Sequence, residues 1–505
     1  MTARRVHLIG ISGTAMASLA GMLRQRGWHV TGSDAAAYPP MSDFLAVLGI
    51  EVRQPFAEAN LEPSNLEPAP DLVVVGNAIS RGNPELERVL EAKLPLISLP
   101  QLLQDEFLRG RETLVVAGTH GKTTTTSMLA WIFHAAGLEP SFLVGGIAEN
   151  SGSSFAVTSS QYFIIEGDEY DSAFFDKGPK FLHYFPSSAI LTSVEFDHAD
   201  IYPDLDAVKT AFKRLVNLVP RNGRIVAWDG SHAGEREAPG TSASEAASET
   251  ASASLDECLA KAFCPVERYG FSQHATWRIE GLRHQPQSTS WRVLREGRDW
   301  AEFEFALAGE YNVLNATAAA ALAAGYGIEP RTIAEALRSF KSVKRRLEVK
   351  AEVAGVTVID DFAHHPTAIA ETLKALRARY PGRRLWAVLE PRSNTLRRAI
   401  FQRELAQSLA LADEVVIAAI FKPEAIAPGD RLDVNSLVQE IQRLGRNAQQ
   451  LPDADAIVAQ AAPRMRSGDV VAILSNGGFG GIYEKLPARL RQLTAQKDTE
   501  VPAKA

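Results

Sequence analysis

The sequence predicts an α/β protein of three domains: a Rossmann-like N-terminal domain, a central domain of the P-loop ATPase type and a Rossmann-like C-terminal domain. The length of 505 residues is sufficient for about three domains. Short apolar runs typical of buried parallel strands recur along the chain, and they end at glycines or polar side chains. Helix-compatible segments follow many of these runs, as in βαβ units. The expected domains span 1–109, 110–339 and 340–490, with a tail at 491–505.

Composition and charge restrict the possible classes of function. The net charge of -7 and the pI near 6.0 provide no basic face for a nucleic acid, so phosphate recognition must be local. Cys258 and Cys264 are too few for a disulfide framework and lack the spacing of a zinc site. No stretch approaches the roughly 18 apolar residues of a membrane span. We expect a cytoplasmic protein that binds small anions, with neither a nucleic acid nor a membrane as partner.

The first element is a βαβ unit, VHLIGISGTAMASLAGMLRQRGWHVTGSD. Its turn carries Gly10 and Gly13, and Met16 replaces the last glycine of a dinucleotide fingerprint. A nucleotide sugar therefore fits this turn as well as NAD does, and a turn without a ligand is the alternative. Asp34 ends the second strand about 20 residues further on, where a carboxylate can accept a hydrogen bond from a ribose hydroxyl.

A phosphate-binding loop is predicted in LVVAGTHGKTTTT, residues 114–126. Its glycines allow backbone amides to surround a polyphosphate, Lys122 supplies a cation, and Thr123 offers a hydroxyl to magnesium. The following helix directs its N-terminus towards the phosphates. The usual spacing would place the first glycine at Val116, but the strand, the helix and four consecutive threonines still favour nucleotide binding over an ordinary turn. The candidate ATP-binding residues of this loop are Gly118, Thr119, Gly121, Lys122, Thr123 and Thr124.

Two further strands of the central domain end in acidic residues. Acidic clusters usually lie on a solvated edge, but the carboxyl ends of parallel strands are where open α/β sheets place ligands and metals. We therefore expect a magnesium site beside the phosphate loop. A single histidine is more often structural, although His198 suits a second metal. The residues are Glu166, Asp168, Glu169 and Asp171 after the first strand, and Glu195, Asp197 and His198 after the second.

The second half of the central domain begins with a low-complexity segment, 234–256, rich in Ser, Ala, Glu and Thr. Because it has little apolar surface to repay the entropy of ordering, we expect a disordered surface insertion. The segments WRIEGLRH and WRVLREGRDWAEFEFALAGEYN alternate like antiparallel strands. A helix follows, with Asn312 and Asn315 in its first turn, as helix caps or as amides that read an adenine edge.

The third domain repeats the pattern of strands that end in polar loops. One strand ends in two aspartates before a His-His-Pro sequence, and two arginines precede that strand. Two later strands end in EPRSNT and SNGGFGG. This pattern predicts a second α/β sheet with polar loops along its carboxyl edge. The polar residues are Arg345, Arg346, Asp360, Asp361, His364, His365, Arg392, Ser393 and Asn394.

Five of these segments, GTHGKTTT, EGDEYDSAFFD, EFDHAD, GEYNVLNA and DDFAHHP, resemble the Mur ligase family in sequence and in order. The family comprises ATP-dependent amide-forming enzymes of bacterial cell-wall synthesis. GSDAAAYPPMS, DKGPKFLHYFP, EPRSNT and SNGGFGGIYEKL are most similar to the recycling member, which joins UDP-N-acetylmuramate to the tripeptide L-alanyl-γ-D-glutamyl-meso-diaminopimelate. The alternative within the family is the member that adds L-alanine to the same nucleotide sugar.

The resemblance implies roles for the matching positions. Lys122, Glu166 and His198 would be catalytic, with Thr123, Glu166 and His198 holding Mg²⁺. Several sister ligases carry a carbamylated lysine, but here Phe212 occupies that position, with Lys209 and Lys213 nearby. The implied ligand sets are Asn315, Arg345 and Asp360 for ATP, Gly13, Asp34, Asn77, His120 and Asn150 for the UDP-sugar, and Arg392 and Asn394 for the peptide.

The implied reaction is chemically coherent. A carboxylate attacks the γ-phosphate of ATP to give an acyl phosphate and ADP, and a peptide amine then displaces the phosphate. Metal ions and Lys122 would spread the negative charge that repels the attacking carboxylate. Two other classes are weighed against it. A dinucleotide-dependent oxidoreductase leaves the phosphate loop and the acidic strand ends unexplained, and an ATP-binding regulatory module would bind nucleotide without turnover.

Overall fold

The computed structural model describes residues 4–37, 41–62, 69–233 and 243–500. Its three large β-sheets follow one another along the chain. Each sheet contains a core of parallel strands, so that the fold is the predicted three-domain α/β type. Within the described residues, no helix is both long and apolar enough to cross a membrane.

The first sheet is entirely parallel, with strand order 3-2-1-4-5. Its strands are β1 (Arg5–Ile9), β2 (His29–Ser33), β3 (Val52–Arg53), β4 (Leu72–Val75) and β5 (Leu96–Ser98). Its helices are α1 (Thr14–Gln25), α2 (Met41–Val47), α3 (Pro84–Glu91) and α4 (Leu99–Leu103). The order reverses between β1 and β4, and such a switch point opens a crevice at the carboxyl ends of the strands.

The second sheet has ten strands, in the order 17-16-15-14-13-12-6-9-7-8. The strands of this region are β6 (Glu112–Ala117), β7 (Ser141–Ala148), β8 (Ser153–Ala156), β9 (Tyr162–Gly167), β10 (Asp171–Ala173), β11 (Asp176–Pro179), β12 (Pro186–Leu191), β13 (Arg224–Trp228), β14 (Val266–Gly270), β15 (Trp277–His284), β16 (Thr289–Arg295) and β17 (Arg298–Phe305). Strands β10 and β11 form a separate hairpin-like pair. The predicted antiparallel segments are β15, β16 and β17, which extend one end of the sheet.

The helices of this region are α5 (Lys122–Ala135), α6 (Leu205–Leu218), α7 (Ala243–Leu259), α8 (Glu310–Gly325) and α9 (Pro330–Arg338). Helix α8 packs along α5. It contains a run of buried alanines between 316 and 323, whose small side chains allow the two helices to approach closely. This packing brings Asn315 of α8 against Gly121 of the phosphate loop.

The predicted disordered insertion is wrong for residues 243–256, which belong to α7; residues 234–242 lie outside the described residues. The composition is rich in Ala and Glu, which are good helix formers. Ala251, Leu255 and Cys258 are spaced by four and three residues, so they share one helix face, and all three are buried in the core. The low-complexity pattern concealed this short apolar stripe.

The third sheet has the order 18-19-23-20-21-22, with only the edge strand β18 antiparallel. Its strands are β18 (Glu348–Val353), β19 (Val356–Asp361), β20 (Leu385–Leu389), β21 (Glu414–Ala418), β22 (Asn447–Leu451) and β23 (Val470–Leu474). Its helices are α10 (Pro366–Arg379), α11 (Gln402–Leu409), α12 (Val434–Arg443), α13 (Ala454–Ala461) and α14 (Ile482–Glu500). Residues 491–500, expected to be a tail, instead continue α14, because Leu486 and Leu490 are buried and anchor this helix.

Candidate active site

The carboxyl ends of three adjacent parallel strands, β12, β6 and β9, meet at one edge of the central sheet. The loops that follow them carry the phosphate loop and the two acidic clusters. Loops after β19 and β20 of the third sheet face this edge, and together they line a cleft of 2550 Å³. The strand ends of the central domain that were predicted to carry function therefore meet the loops of the third domain in one cleft.

The two glycines of the phosphate loop are required by its backbone. Gly118 has a φ of 136°, and a Cβ atom there would collide with the hydroxyl of Thr192 and with the backbone nitrogens that follow β12. Gly121 has a φ of 80° and lies immediately before α5. The close approach of the end of β12 thus explains why residue 118 is a glycine.

Lys122, the first residue of α5, lies in a network of buried charges. Its Nζ donates to both carboxylate oxygens of Glu169, at 2.8 and 2.9 Å, and to the carbonyl oxygen of Gly118 at 2.7 Å. His198 Nε2 lies 2.9 Å from Glu169 Oε1. Burial opposes the charge on Lys122, but the carboxylates of Glu169 and Asp168 outweigh it and raise the pKa of the lysine. Glu169 thus joins two predicted catalytic residues, although the sequence did not distinguish it from the other acids of its cluster.

The predicted metal ligands occupy neighbouring positions around this network. Glu166 lies at the end of β9, and its Oε2 accepts a hydrogen bond of 2.9 Å from the backbone nitrogen of Gly145. Thr123 is buried in the first turn of α5, and its Oγ1 lies 3.5 Å from Arg346 Nη2. Thr123, Glu166 and His198 all line the cleft. The structure therefore brings the hydroxyl, carboxylate and imidazole donors to one region.

His120 lies between the phosphate loop and the third domain. Its Nε2 is 3.3 Å from Glu195 Oε1, in poor alignment for a hydrogen bond, and its ring centroid is 4.8 Å from that of His365. The ligand atoms of these three residues lie within 4.8 Å of one another. However, the two ring nitrogens of His365 already contact the carbonyl oxygen of Phe196 and the amide of Thr367, each at 3.3 Å. Burial lowers the pKa of His365 to about 4, so this ring is neutral at pH 7.

Asn315 does not cap α8, because the residue before the helix is Gly309 and its cap has no side-chain hydrogen bond. The side chain of Asn315 instead lies against Gly121 of the phosphate loop. Its Nδ2 atom is buried and has no hydrogen-bond partner among the described residues. An unsatisfied buried amide is costly, so this atom is well suited to receive a ligand acceptor beside the phosphates. Asn312 is different, since its Nδ2 donates to the carbonyl oxygen of Ala308 at 2.7 Å.

Of the two arginines and two aspartates predicted in the third domain, one arginine and one aspartate line the cleft. Arg345 pairs with Asp360 at 3.1 Å and also donates to the carbonyl oxygens of Ser475 and Gly477. Asp360 and Asp361 are neighbours on β19 and point to opposite faces of the sheet, whereas Arg345 and Arg346 lie in the turn before β18. Arg346 and Asp361 are the members that line the cleft. The structure thus does not bring Arg345 and Asp360, the positions predicted to bind ATP, to the phosphate loop.

The residues predicted to hold the UDP-sugar lie in three places. Gly13, Asp34 and Asn77 follow β1, β2 and β4 at the carboxyl edge of the first sheet. There, Asp34 Oδ2 accepts a hydrogen bond of 2.9 Å from the backbone amide of Ser12. His120 lies in the cleft. Asn150 lies in neither place. Its side-chain amide forms hydrogen bonds with the backbone of Ser339 and Lys341, in the segment that leads into the third domain. The structure therefore supports a shared position for three of the five residues.

The predicted peptide residues lie on the loop after β20. The guanidinium of Arg392 lies 3.9 Å from the ring centroid of Phe421, and it reaches Glu390 only at 3.5 Å. Asn394 donates to Asp200 Oδ2 at 2.8 Å and accepts from Arg397 at 2.6 Å. Both residues line the cleft. The guanidinium of Arg392 has only a long contact with a carboxylate, whereas the side chain of Asn394 connects the third domain to the loop after β12.

The position of the lysine that is carbamylated in sister ligases is apolar here. Phe212 is fully buried within the core. Lys209 and Lys213, on the same helix, both pair with Glu257 of α7, at 2.7 and 2.5 Å. Both lysines are therefore directed towards α7.

The fold and the cleft together define a three-domain enzyme that uses a nucleoside triphosphate. Residues 5–110 match the model of the Mur ligase family catalytic domain, residues 116–323 the Mur ligase middle domain, and residues 345–477 the Mur ligase glutamate ligase domain. The chain belongs to the Mur ligase family, whose members are ATP-dependent ligases.

Individual relatives cover almost the whole chain. The chain is 43% identical, over 95% of its length and 97% of the relative's, to UDP-N-acetylmuramate–L-alanyl-γ-D-glutamyl-meso-2,6-diaminoheptandioate ligase of Escherichia coli (strain K12). It is 32% identical, over 95% of its length and 98% of the relative's, to UDP-N-acetylmuramate–L-alanine ligase of Desulfitobacterium hafniense. The crystal structure of a murein peptide ligase from Psychrobacter arcticus superposes with a TM-score of 0.71 at 36% identity, covering 97% of this chain and 99% of that one.

Proposed function

We propose that this enzyme joins the carboxylate of UDP-N-acetylmuramate to the amine of L-alanyl-γ-D-glutamyl-meso-diaminopimelate through an acyl phosphate, with ATP as co-substrate and Mg²⁺ as cofactor. The observation that carries the proposal is that the phosphate loop, the acidic strand ends and the Arg392 loop all line one cleft. The relatives named for the tripeptide share 41–43% identity with this chain, against 31–32% for the relatives named for L-alanine, which favours the tripeptide.

The donors around the phosphate loop fit Mg²⁺. Thr123 and Glu166 supply the hard oxygen ligands that this ion prefers, and His198 provides a ligand for a second divalent ion. When bound, the ions neutralise phosphate charge as the substrate carboxylate approaches. The Nζ of Lys122 is held beside the loop by Glu169, so that a cation is already in position when the phosphates enter.

The remaining chain residues orient the reactants. We propose that Asn315, whose amide nitrogen has no hydrogen-bond partner in the described part of the chain, binds the adenine, and that Arg346 rather than Arg345 faces the phosphates. Gly13, Asp34 and Asn77 would hold the nucleotide sugar in a first domain of residues 1–109, with its carboxylate extending towards His120. The central and C-terminal domains would span 110–339 and 340–500. Because the reaction consumes ATP, we expect it in the cytoplasm.

Selection of the amine is assigned to the third domain. The tripeptide carries several carboxylates, and an arginine guanidinium can hold a carboxylate through two parallel hydrogen bonds. Arg392 lines the cleft and its ring contact with Phe421 fixes the plane of the guanidinium. Free L-alanine is too small to reach this loop while its amine is at the acyl phosphate.

The test replaces Arg392 with alanine and measures phosphate release with each substrate varied in turn. The apparent affinity for the tripeptide should fall by a factor on the order of ten to a few hundred, the worth of one charge-assisted hydrogen bond. The apparent affinities for ATP and UDP-N-acetylmuramate should remain unchanged. Arg443→Ala is the matched control, because Arg443 is an exposed arginine of α12, in the same domain. Equal weakening of ATP and peptide binding by Arg392→Ala would contradict the assignment.

A further inference from the structure

The third domain contacts the loop that carries His198 through a short segment after β20. Thr395 is 3% exposed, and its hydroxyl donates to Asp197 Oδ1 at 2.7 Å. The same hydroxyl oxygen accepts a longer bond, of 3.4 Å, from the backbone nitrogen of Ala199. The adjacent Asn394 donates to Asp200. One segment of the third domain therefore binds both sides of His198 without contacting the imidazole.

The backbone at His198 needs such support. Its φ is 57°, in the left-handed region that residues with a side chain seldom adopt. Asp197 Oδ1 accepts a hydrogen bond of 2.7 Å from the backbone nitrogen of His198, and the same oxygen accepts the hydroxyl of Thr395. Asp197 is 5% exposed, so these bonds are shielded from water. The hydroxyl of Thr395, in the third domain, thus holds Asp197 Oδ1 in place, and this oxygen in turn holds the strained backbone of His198.

We propose that Thr395 is a positioning residue that holds His198 in its metal-binding orientation, so that docking of the third domain and assembly of the metal site are coupled. This inference rests on the proposed function, which assigns His198 as a metal ligand. Thr395 also lies on the loop that carries Arg392. The segment proposed to bind the peptide is therefore also the segment that orders the loop of His198. The arrangement makes the metal site complete only when the amine-binding domain is in place.

The test compares Thr395→Val, which keeps the shape and removes the hydroxyl, with Thr395→Ser, which keeps the hydroxyl. The apparent Mg²⁺ requirement for turnover, measured with the amine that the wild type uses best, should rise by roughly ten- to a hundredfold in the valine variant. The serine variant should remain close to wild type. The proposal is overturned if the valine variant has a wild-type Mg²⁺ requirement, or if the serine variant is impaired as strongly.

A spectroscopic measurement separates this proposal from the proposed function. Pulsed electron paramagnetic resonance of Mn²⁺ bound with ADP should detect the imidazole nitrogen of His198 in the wild type and not in Thr395→Val. Absence of nitrogen coupling in the wild type would reject His198 as a ligand, and equal coupling in both proteins would reject only the role of Thr395. If melting curves show that Thr395→Val is unfolded, Asp197→Ala removes the acceptor oxygen of the same bond from the other domain and should lose the coupling too.

Discussion

The buried pair formed by Lys122 and Glu169 provides a quantitative test of the site. Glu169→Gln preserves the shape of the side chain but removes its charge, while Lys122 keeps the carbonyl oxygens of Gly118 and Thr119 as acceptors. The side chains of Lys122 and Glu169 are only 13% and 2% exposed, so solvent screens this pair little. Removing one partner of a buried pair costs about 3–5 kcal/mol. Because acceptors remain, we expect the lower end, about 3 kcal/mol, in Glu169→Gln.

Thermal melting of the variants measures this cost. For a domain of this size, the lower value corresponds to a decrease in melting temperature of roughly 6–12 °C. The double variant Lys122→Met/Glu169→Gln removes both charges and should recover most of the loss, because no uncompensated charge remains buried. Phosphate release should be lost in both Lys122→Met and the double variant, because neither protein has the loop cation.

Two results would refute this reasoning. An unchanged melting temperature in Glu169→Gln would mean that Lys122 is solvated and that its charge is not buried with that of Glu169. A double variant that melts below Glu169→Gln would mean that the lysine stabilises the domain through its packing rather than through its charge.

Three further predictions concern other parts of the chain. Glu166→Gln removes a hard anionic ligand, so the Mg²⁺ concentration for half-maximal activity should rise; an unchanged Mg²⁺ titration would count against Glu166 as a ligand. Asn315→Ala should raise the apparent KM for ATP by roughly five- to tenfold, the worth of one hydrogen bond, while leaving that for UDP-N-acetylmuramate unaltered; equal effects on both would place Asn315 outside the nucleotide site. Leu255→Ala should destabilise the protein by about 2–5 kcal/mol in denaturant unfolding, because Leu255 is fully buried on α7. The exposed Ala253→Ser on the same helix is its control, and equal stability of the two variants would mean that α7 does not pack on the core.

The sequence predicted those features that depend on local chemistry. Parallel strands that end in glycine or acid must place these groups at one sheet edge, and for this reason the phosphate loop, Glu166 and His198 were located together. The antiparallel strands β15 to β17 were evident from their alternation. Helix α7 was missed because its apolar stripe is short and lies within a low-complexity segment.

Features that depend on contacts between distant parts of the chain were not evident. Arg345 and Arg346 are neighbours in sequence, and only the fold of the turn before β18 decides which of them faces the cleft. The bond between Thr395 and Asp197 joins residues 198 positions apart. Glu169 was one of four acids in its cluster, and only the position of Lys122 shows that it is the central one.

The most direct test of the proposed function is the rate of phosphate release with UDP-N-acetylmuramate and ATP fixed and the amine varied. If Arg392 binds the amine substrate, as proposed, that substrate must be long enough to reach from the acyl phosphate to the third domain. We predict that L-alanyl-γ-D-glutamyl-meso-diaminopimelate gives a much higher kcat/KM than L-alanine. A higher kcat/KM with L-alanine would contradict the account and assign the enzyme to the alanine-adding reaction.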